Sequence, residues 1–180
     1  MRIISGTLKG RRFSPPKSFS ARPTTDIARE SLFNVLNNRI DFEDLSVLDL
    51  FGGTGSISYE FASRGCPNIT TVELNYKHFS FIKSMLKEFE LSDTIKVIKA
   101  DVFKYIQKDS MTYDLVFADP PFDLKNFDEI PDLFFENKLL KEDGVFILEH
   151  SDKKSFVDHP YFTEVKKYGK VHFSFFSVKE

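Results

Sequence analysis

The sequence predicts a doubly wound α/β fold: a mostly parallel sheet with helices on both faces, closed at its C-terminal end by an antiparallel hairpin. Three observations carry the prediction. From Ser46 onward short apolar runs alternate with longer amphipathic stretches; the first run opens into the glycine-rich turn Phe51-Gly52-Gly53-Thr54-Gly55; and two further runs flank Gly169 near the end of the chain. A length of 180 residues with 41% hydrophobic and 29% charged side chains suits one compact domain with a small appendage, and gives no case for global disorder.

The chain begins with a segment, 2–14, that reads as a small β-hairpin around Gly6-Thr7-Leu8-Lys9-Gly10. Pro15, Pro16 and Pro23 then enforce an extended connector until Thr24 or Thr25 caps a helix. Ala28, Leu32, Val35 and Leu36 form one apolar face of that helix, with Asp26 and Glu30 near the positive end of its dipole. Residues 1–40 are therefore expected to be an N-terminal hairpin and helix extension, and 41–180 the α/β domain. Within it the buried strands are expected at 46–50, 69–74, 95–100, 114–118 and 145–150. Helices are expected at 56–64, 76–90, 102–107 and 127–140, and the closing hairpin at 162–168 and 170–178.

Composition excludes several classes. The single cysteine, Cys66, rules out an intramolecular disulfide, a cysteine-rich zinc site and an iron-sulfur centre, and its place between Gly65 and Pro67 suits packing. The four histidines, His78, His150, His159 and His172, show no metal-ligand spacing on a shared helix, so no metal is expected. No apolar stretch resembles a signal peptide or approaches the roughly 18 residues of a membrane helix, so a cytoplasmic protein is expected. Net charge is only −2, yet residues 1–39 hold eight basic side chains against Asp26 and Glu30, a local +6 beside −8 in the remainder. A basic end of this kind suits either a solvated arm or a surface that faces phosphates.

The chemistry-bearing residues fall at strand ends. Asp49-Leu50-Phe51-Gly52-Gly53-Thr54-Gly55 runs from a buried strand into a helix start, where glycines let backbone approach a ligand and unpaired N–H groups point outward. A nucleoside cofactor fits such a turn. Read as a dinucleotide fingerprint, the third small residue falls on Ser58, which leaves a dinucleotide oxidoreductase as a distant alternative. Glu73 ends the next strand about 20 residues beyond the glycines, where a carboxylate holds ribose hydroxyls. Asp101, in Lys99-Ala100-Asp101-Val102, ends the third. After the fourth comes Asp119-Pro120-Pro121-Phe122. Its prolines fix the backbone and remove N–H donors, so the Asp119 carboxylate and the Pro120 carbonyl can accept from an amine while Phe122 offers a face for a base.

The order of glycine loop, strand-end Glu73, strand-end Asp101 and Asp119-Pro120-Pro121-Phe122 resembles the class I S-adenosylmethionine-dependent methyltransferases. The tetrad resembles their amino-methylating branch and does not itself choose between adenine and guanine, or DNA and RNA. Ile4-Ser5-Gly6, Lys9-Gly10-Arg11-Arg12, Arg22-Pro23-Thr24-Thr25-Asp26, Arg29-Glu30 and Leu32-Phe33-Asn34 resemble the N-terminal signature of the RsmD family, bacterial 16S ribosomal RNA guanine-N2 methyltransferases. The resemblance covers essentially the whole chain. It implies a Rossmann-like methyltransferase domain with S-adenosylmethionine held by Asp49, Phe51, Gly52, Gly53, Gly55, Glu73, Leu74, Asp101 and Val102. It places catalysis at Asp119, Pro120, Pro121 and Phe122 and makes 16S rRNA of the small ribosomal subunit the partner, which the +6 segment is expected to contact through Arg11, Arg12, Arg22 and Arg29. The alternatives are a nucleic-acid adenine-N6 methyltransferase and a noncatalytic RNA-binding ribosome assembly factor on a methyltransferase scaffold.

Overall fold

The computed structural model describes residues 1–19 and 25–178. Thr25 caps α1 (Asp26–Asn37), its side chain accepting the Ala28 N–H at 3.2 Å. The chain then alternates β1 (Ser46–Leu50), α2 (Ser56–Ser63), β2 (Asn68–Glu73), α3 (Tyr76–Glu88), β3 (Ile95–Lys99), α4 (Val102–Lys108) and β4 (Tyr113–Ala118). A short 3₁₀ turn, Phe127–Glu129, leads into α5 (Ile130–Glu136), followed by β5 (Leu140–Ser151), β6 (Phe162–Tyr168) and β7 (Val171–Phe176). One sheet of seven strands results, ordered β3-β2-β1-β4-β5-β7-β6, parallel from β3 to β5 and antiparallel through β7 and β6. The doubly wound expectation and the closing hairpin are both borne out. The order reverses between β1 and β4, so the carboxyl ends of these strands open a crevice at that switch point.

Two apolar cores sandwich the sheet. On one face Val47, Leu115, Phe117 and Ile147 meet the inner sides of α1, α2 and α3; on the other Leu48, Val116, Phe146 and Leu148 meet α4 and α5. The described residues of the N-terminal segment share the core of the domain. Ile3, Phe13, Ala28, Leu32 and Phe33 belong to the first core, so the N-terminal segment is stitched to the sheet by burial.

Two expected elements differ. The N-terminal hairpin shrinks to a single antiparallel bridge between Arg2 and Arg12, supported by Ile3 N–H to Arg11 O at 2.9 Å and Phe13 N–H to Met1 O at 3.1 Å. What holds the segment is α2 instead: Glu60 accepts the Ile4 N–H at 2.7 Å and the Ser63 hydroxyl accepts the Leu8 N–H at 2.9 Å. The helix expected at 127–140 stops at Glu136, because Lys138 turns at φ 54° and Leu140 enters β5 opposite Tyr113. Cys66 packs as expected, buried with its thiol donating to Leu45 O at 3.2 Å, and burial pushes its pKa up to about 11.

Arg29 requires a correction. Expected at an RNA surface, it is 0% exposed. Its guanidinium donates to Arg2 O at 2.7 Å and to Asp26 at 2.9 Å, and lies 3.5 Å from the buried Glu60 carboxylate. Burial lowers its pKa, with Glu60 and Asp26 opposing. Glu60 also pairs with Arg64. Arg29→Ala removes the donor to the Arg2 carbonyl and part of the compensation of Glu60, which keeps Arg64, so it is expected to cost about 1 to 3 kcal/mol in urea unfolding. Arg12→Ala, at an exposed position, should stay within about 0.5 kcal/mol of wild type. Equal stability for the two variants would mean that Arg29 does not anchor the N-terminal segment.

Candidate active site

The crevice is built from β1 outward. At its end Phe51 takes φ 64°, a conformation costly for a side chain of that size, and the backbone turns sharply into Gly52. Gly52 donates to Val72 O at 3.0 Å, and a Cβ there would lie 2.4 Å from the Thr71 methyl, so only glycine lets the loop lie against β2. Gly53, at φ 56°, faces the other way: among the described residues, the one atom near a Cβ placed there is Phe51 O, at 3.8 Å. That open side is a cradle in which a ligand can approach bare backbone. Gly55, at φ 81°, then starts α2.

Asp49 and Glu73 support this loop from below and beside it. Asp49 is 2% exposed, accepts the Ser58 hydroxyl at 2.5 Å, and Ser58 also meets the Thr71 hydroxyl at 2.7 Å. Burial pushes Asp49 up to about 7, with the Ser58 bond opposing and Glu73 adding. Asp49 thus supports the loop from beneath, through its Oδ2. Glu73 accepts the Gly53 N–H and the Asn75 N–H, both at 2.7 Å, one on each oxygen. A carboxylate oxygen has two acceptor sites, so each retains one for a hydroxyl donor. The neighbouring Leu74 is 58% exposed and offers an apolar wall.

Further along the edge, Asp101 caps α4 by accepting the Lys104 N–H at 3.0 Å, while Val102 sends its side chain into the core. On the other side of the loop, Asp119 follows β4 and is half-buried, its N–H donating to Leu50 O at 3.3 Å. Pro120 is buried, Pro121 is exposed, and Phe122 is 48% exposed. Because the strands run in the order β3-β2-β1-β4, Asp101, Glu73, the glycine loop and Asp119 follow one another along one edge. At about 4.8 Å per strand this line spans about 14 Å, the reach of a nucleoside joined to an amino acid.

Glu73, the glycine loop, Asp101 and Asp119-Pro120-Pro121-Phe122 share this edge, Asp49 lies beneath the loop, and Arg29 is buried away from it. Arg11 and Arg12 are exposed; the Arg11 guanidinium donates to Glu88 O at 3.1 Å and lies 5.3 Å over Phe89. Arg22 lies outside the described residues. Two contributors escaped the sequence reading. Ser58 ties Asp49 to Thr71, and His78, 3.8 Å from Glu73, packs against Phe19 of the N-terminal segment with ring centroids 4.3 Å apart and planes inclined at 38°. Neither follows a spacing rule, because both pairings depend on the sheet register. A cleft at the amino ends of β1 and β4, lined by Leu36, Arg39, Asp114 and Phe175, contains none of these groups. Among the described residues, no group of three or more His, Cys, Asp or Glu is placed to hold a metal, and no helix is long and apolar enough to cross a membrane.

Sheet order, glycine loop and strand-end acids fit a Rossmann-like fold of the methyltransferase type, and solved structures share the fold. A hypothetical protein of Thermus thermophilus superposes with a TM-score of 0.86 over 99% of both chains at 23% identity. SMU.776, crystallised with S-adenosylhomocysteine, does so at 0.66 and 18% identity over 83% of this chain and 49% of that one. Residues 1–177 match the family model described as Conserved hypothetical protein 95, and the chain belongs to that family, the RsmD family. Among its relatives, ribosomal RNA small subunit methyltransferase D of Buchnera aphidicola (subsp. Baizongia pistaciae) is 29% identical over 98% of this chain and 91% of its own. The Escherichia coli K12 protein of the same name is 30% identical over 83% of this chain and 74% of its own.

Proposed function

We propose that this protein methylates the exocyclic N2 amine of a guanine in 16S rRNA, within the small ribosomal subunit and in the cytoplasm, using S-adenosylmethionine. The observation that carries the reading is the single edge that lines up the Gly53 cradle, Glu73 and Asp119-Pro120-Pro121-Phe122. The names of the RsmD relatives supply the RNA. Glu73 would hold the ribose hydroxyls, Leu74, Asp101 and the Val102 backbone the adenine, and the Phe51–Gly55 backbone the amino-acid portion. Bound there, S-adenosylmethionine supplies an electrophilic methyl group on sulfur: the amine nitrogen forms the new N–C bond, sulfur keeps the pair of the broken S–C bond, and nitrogen loses a proton.

The protein's own groups make the amine reactive. An aryl amine is a poor nucleophile because its lone pair is delocalised into the ring. Asp119 and the Pro120 carbonyl, accepting its two N–H bonds, favour a pyramidal nitrogen with the lone pair directed away from them, and Asp119 is also an acceptor for the departing proton. Pro121 keeps the turn rigid and Phe122 stacks on the base, offsetting the few kcal/mol that unstacking costs. The test is transfer from labelled S-adenosylmethionine to small subunits, followed by nucleoside mass spectrometry. N2-methylguanosine is the expected product, and N6-methyladenosine alone would overturn the guanine assignment.

The basic N-terminal segment supplies the RNA grip in this reading, through Arg11, Arg12 and Arg22. Phosphate contacts position while the pocket specifies. Arg11→Ala/Arg12→Ala is therefore expected to raise KM for RNA and to flatten its log–log salt dependence by about 0.7 to 0.9 per lost contact. S-adenosylmethionine affinity should not change, because the glycine loop is untouched. A wild-type KM across a salt series would remove the segment from RNA binding.

A further inference from the structure

We infer that Glu149 sets the choice of guanine, its carboxylate accepting the N1–H of the target base while Asp119 and Pro120 hold the N2 amine. This rests on the guanine-N2 reaction proposed above. The register of β4 and β5 places Phe117 opposite Ile147 and Ala118 opposite Leu148. Side chains alternate along a strand, and parallel neighbours at the same level share a face about 4.8 Å apart. Phe117 and Ile147 lie in the same core, facing α1 to α3, and that register, continued one step past the end of β4, would set Asp119 beside Glu149 on the same face.

The environment of Glu149 makes an acid there informative. It is 3% exposed, opposite Phe173 on β7, and the preceding positions of its face, Ile147 and Phe117, are apolar. A carboxylate at that depth is kept only where donors meet it, and its two oxygens offer about four acceptor sites, enough for an internal partner and a ligand together. It stands where the active-site edge ends, beside the residue that grips the amine. Guanine presents two adjacent donors on its Watson–Crick edge, N1–H and the N2 amine. Adenine presents an amine beside an N1 lone pair, which a carboxylate repels. A pair of neighbouring carboxylates therefore matches guanine and opposes adenine, a discrimination that Asp119-Pro120-Pro121-Phe122 alone does not provide.

The test uses small subunits reconstituted with rRNA carrying either guanine or 2-aminopurine at the methylated position. 2-Aminopurine keeps the N2 amine but has a lone pair in place of N1–H. Wild-type enzyme is expected to favour guanine at least about tenfold in kcat/KM, and Glu149→Gln, whose amide can donate, to lose most of that preference with unchanged S-adenosylmethionine affinity. A wild-type preference retained by Glu149→Gln would overturn the assignment. Equal rates on the two RNAs by the wild-type enzyme would overturn it as well, whatever the folding of the variant. Both results leave the proposed reaction standing, whereas absence of N2-methylguanosine from wild-type reactions on guanine RNA would remove that reaction itself.

Discussion

Asp119→Ala is expected to lower the single-turnover rate of methyl transfer by a factor of about 100 to 1000, the loss that follows removal of one preorganised acceptor or donor from a reacting centre. The fold should survive. The main-chain N–H of Asp119 on Leu50 O at 3.3 Å ties it to β1, and alanine keeps that bond. S-adenosylmethionine affinity, read by calorimetry, should stay within about twofold, because the Gly53 cradle and Glu73 lie across β1 from the substitution. Asp119→Asn should fall between the two, since one amide oxygen still accepts while the capacity to take a proton is lost. A variant that methylates at the wild-type rate would show that the amine is held elsewhere.

Glu73→Ala carries the second large effect. Loss of a charged acceptor for ribose is worth about 1.5 to 3 kcal/mol, a weakening of S-adenosylmethionine binding by about 10- to 150-fold. The residue also fastens Gly53 and Asn75 through their N–H groups, so the loop loses its clamp in the same variant. Glu73→Gln is not expected to rescue. A carboxamide has one acceptor atom for two N–H donors, and its amide nitrogen would face one of them. Calorimetry that finds wild-type affinity in both variants would place the cofactor away from this edge.

The parallel half of the sheet was legible because each strand is a short apolar run closed by a turn signal or an acid, and a buried parallel strand needs no more than that. The glycine loop, Glu73, Asp101 and the Asp119 turn were legible for a related reason: each sits at a strand's carboxyl end, a position that chain order alone determines. Residues decided by register or packing were not. Leu139 and Leu140 continue the apolar pattern of α5, yet Lys138 reverses the chain and they join the β5 side of the fold. Arg29 counted as one more positive charge in a basic stretch, and only the fold sets it against Glu60. Asp49 reads as one more strand-end acid, and its bond from Ser58 on α2, nine residues on, follows from the fold and from no spacing rule. Glu149 carried no motif, and its significance comes from its place on β5, the neighbour of the strand that leads into Asp119.

Guanine-N2 methylation by this protein is read out by nucleoside mass spectrometry of 16S rRNA from cells that lack it, complemented with the wild-type or the Asp119→Ala chain. N2-methylguanosine is expected to fall on deletion, to return with the wild-type chain and not to return with Asp119→Ala. Its return with the alanine variant, or a fall in N6-methyladenosine alone, would overturn the assignment.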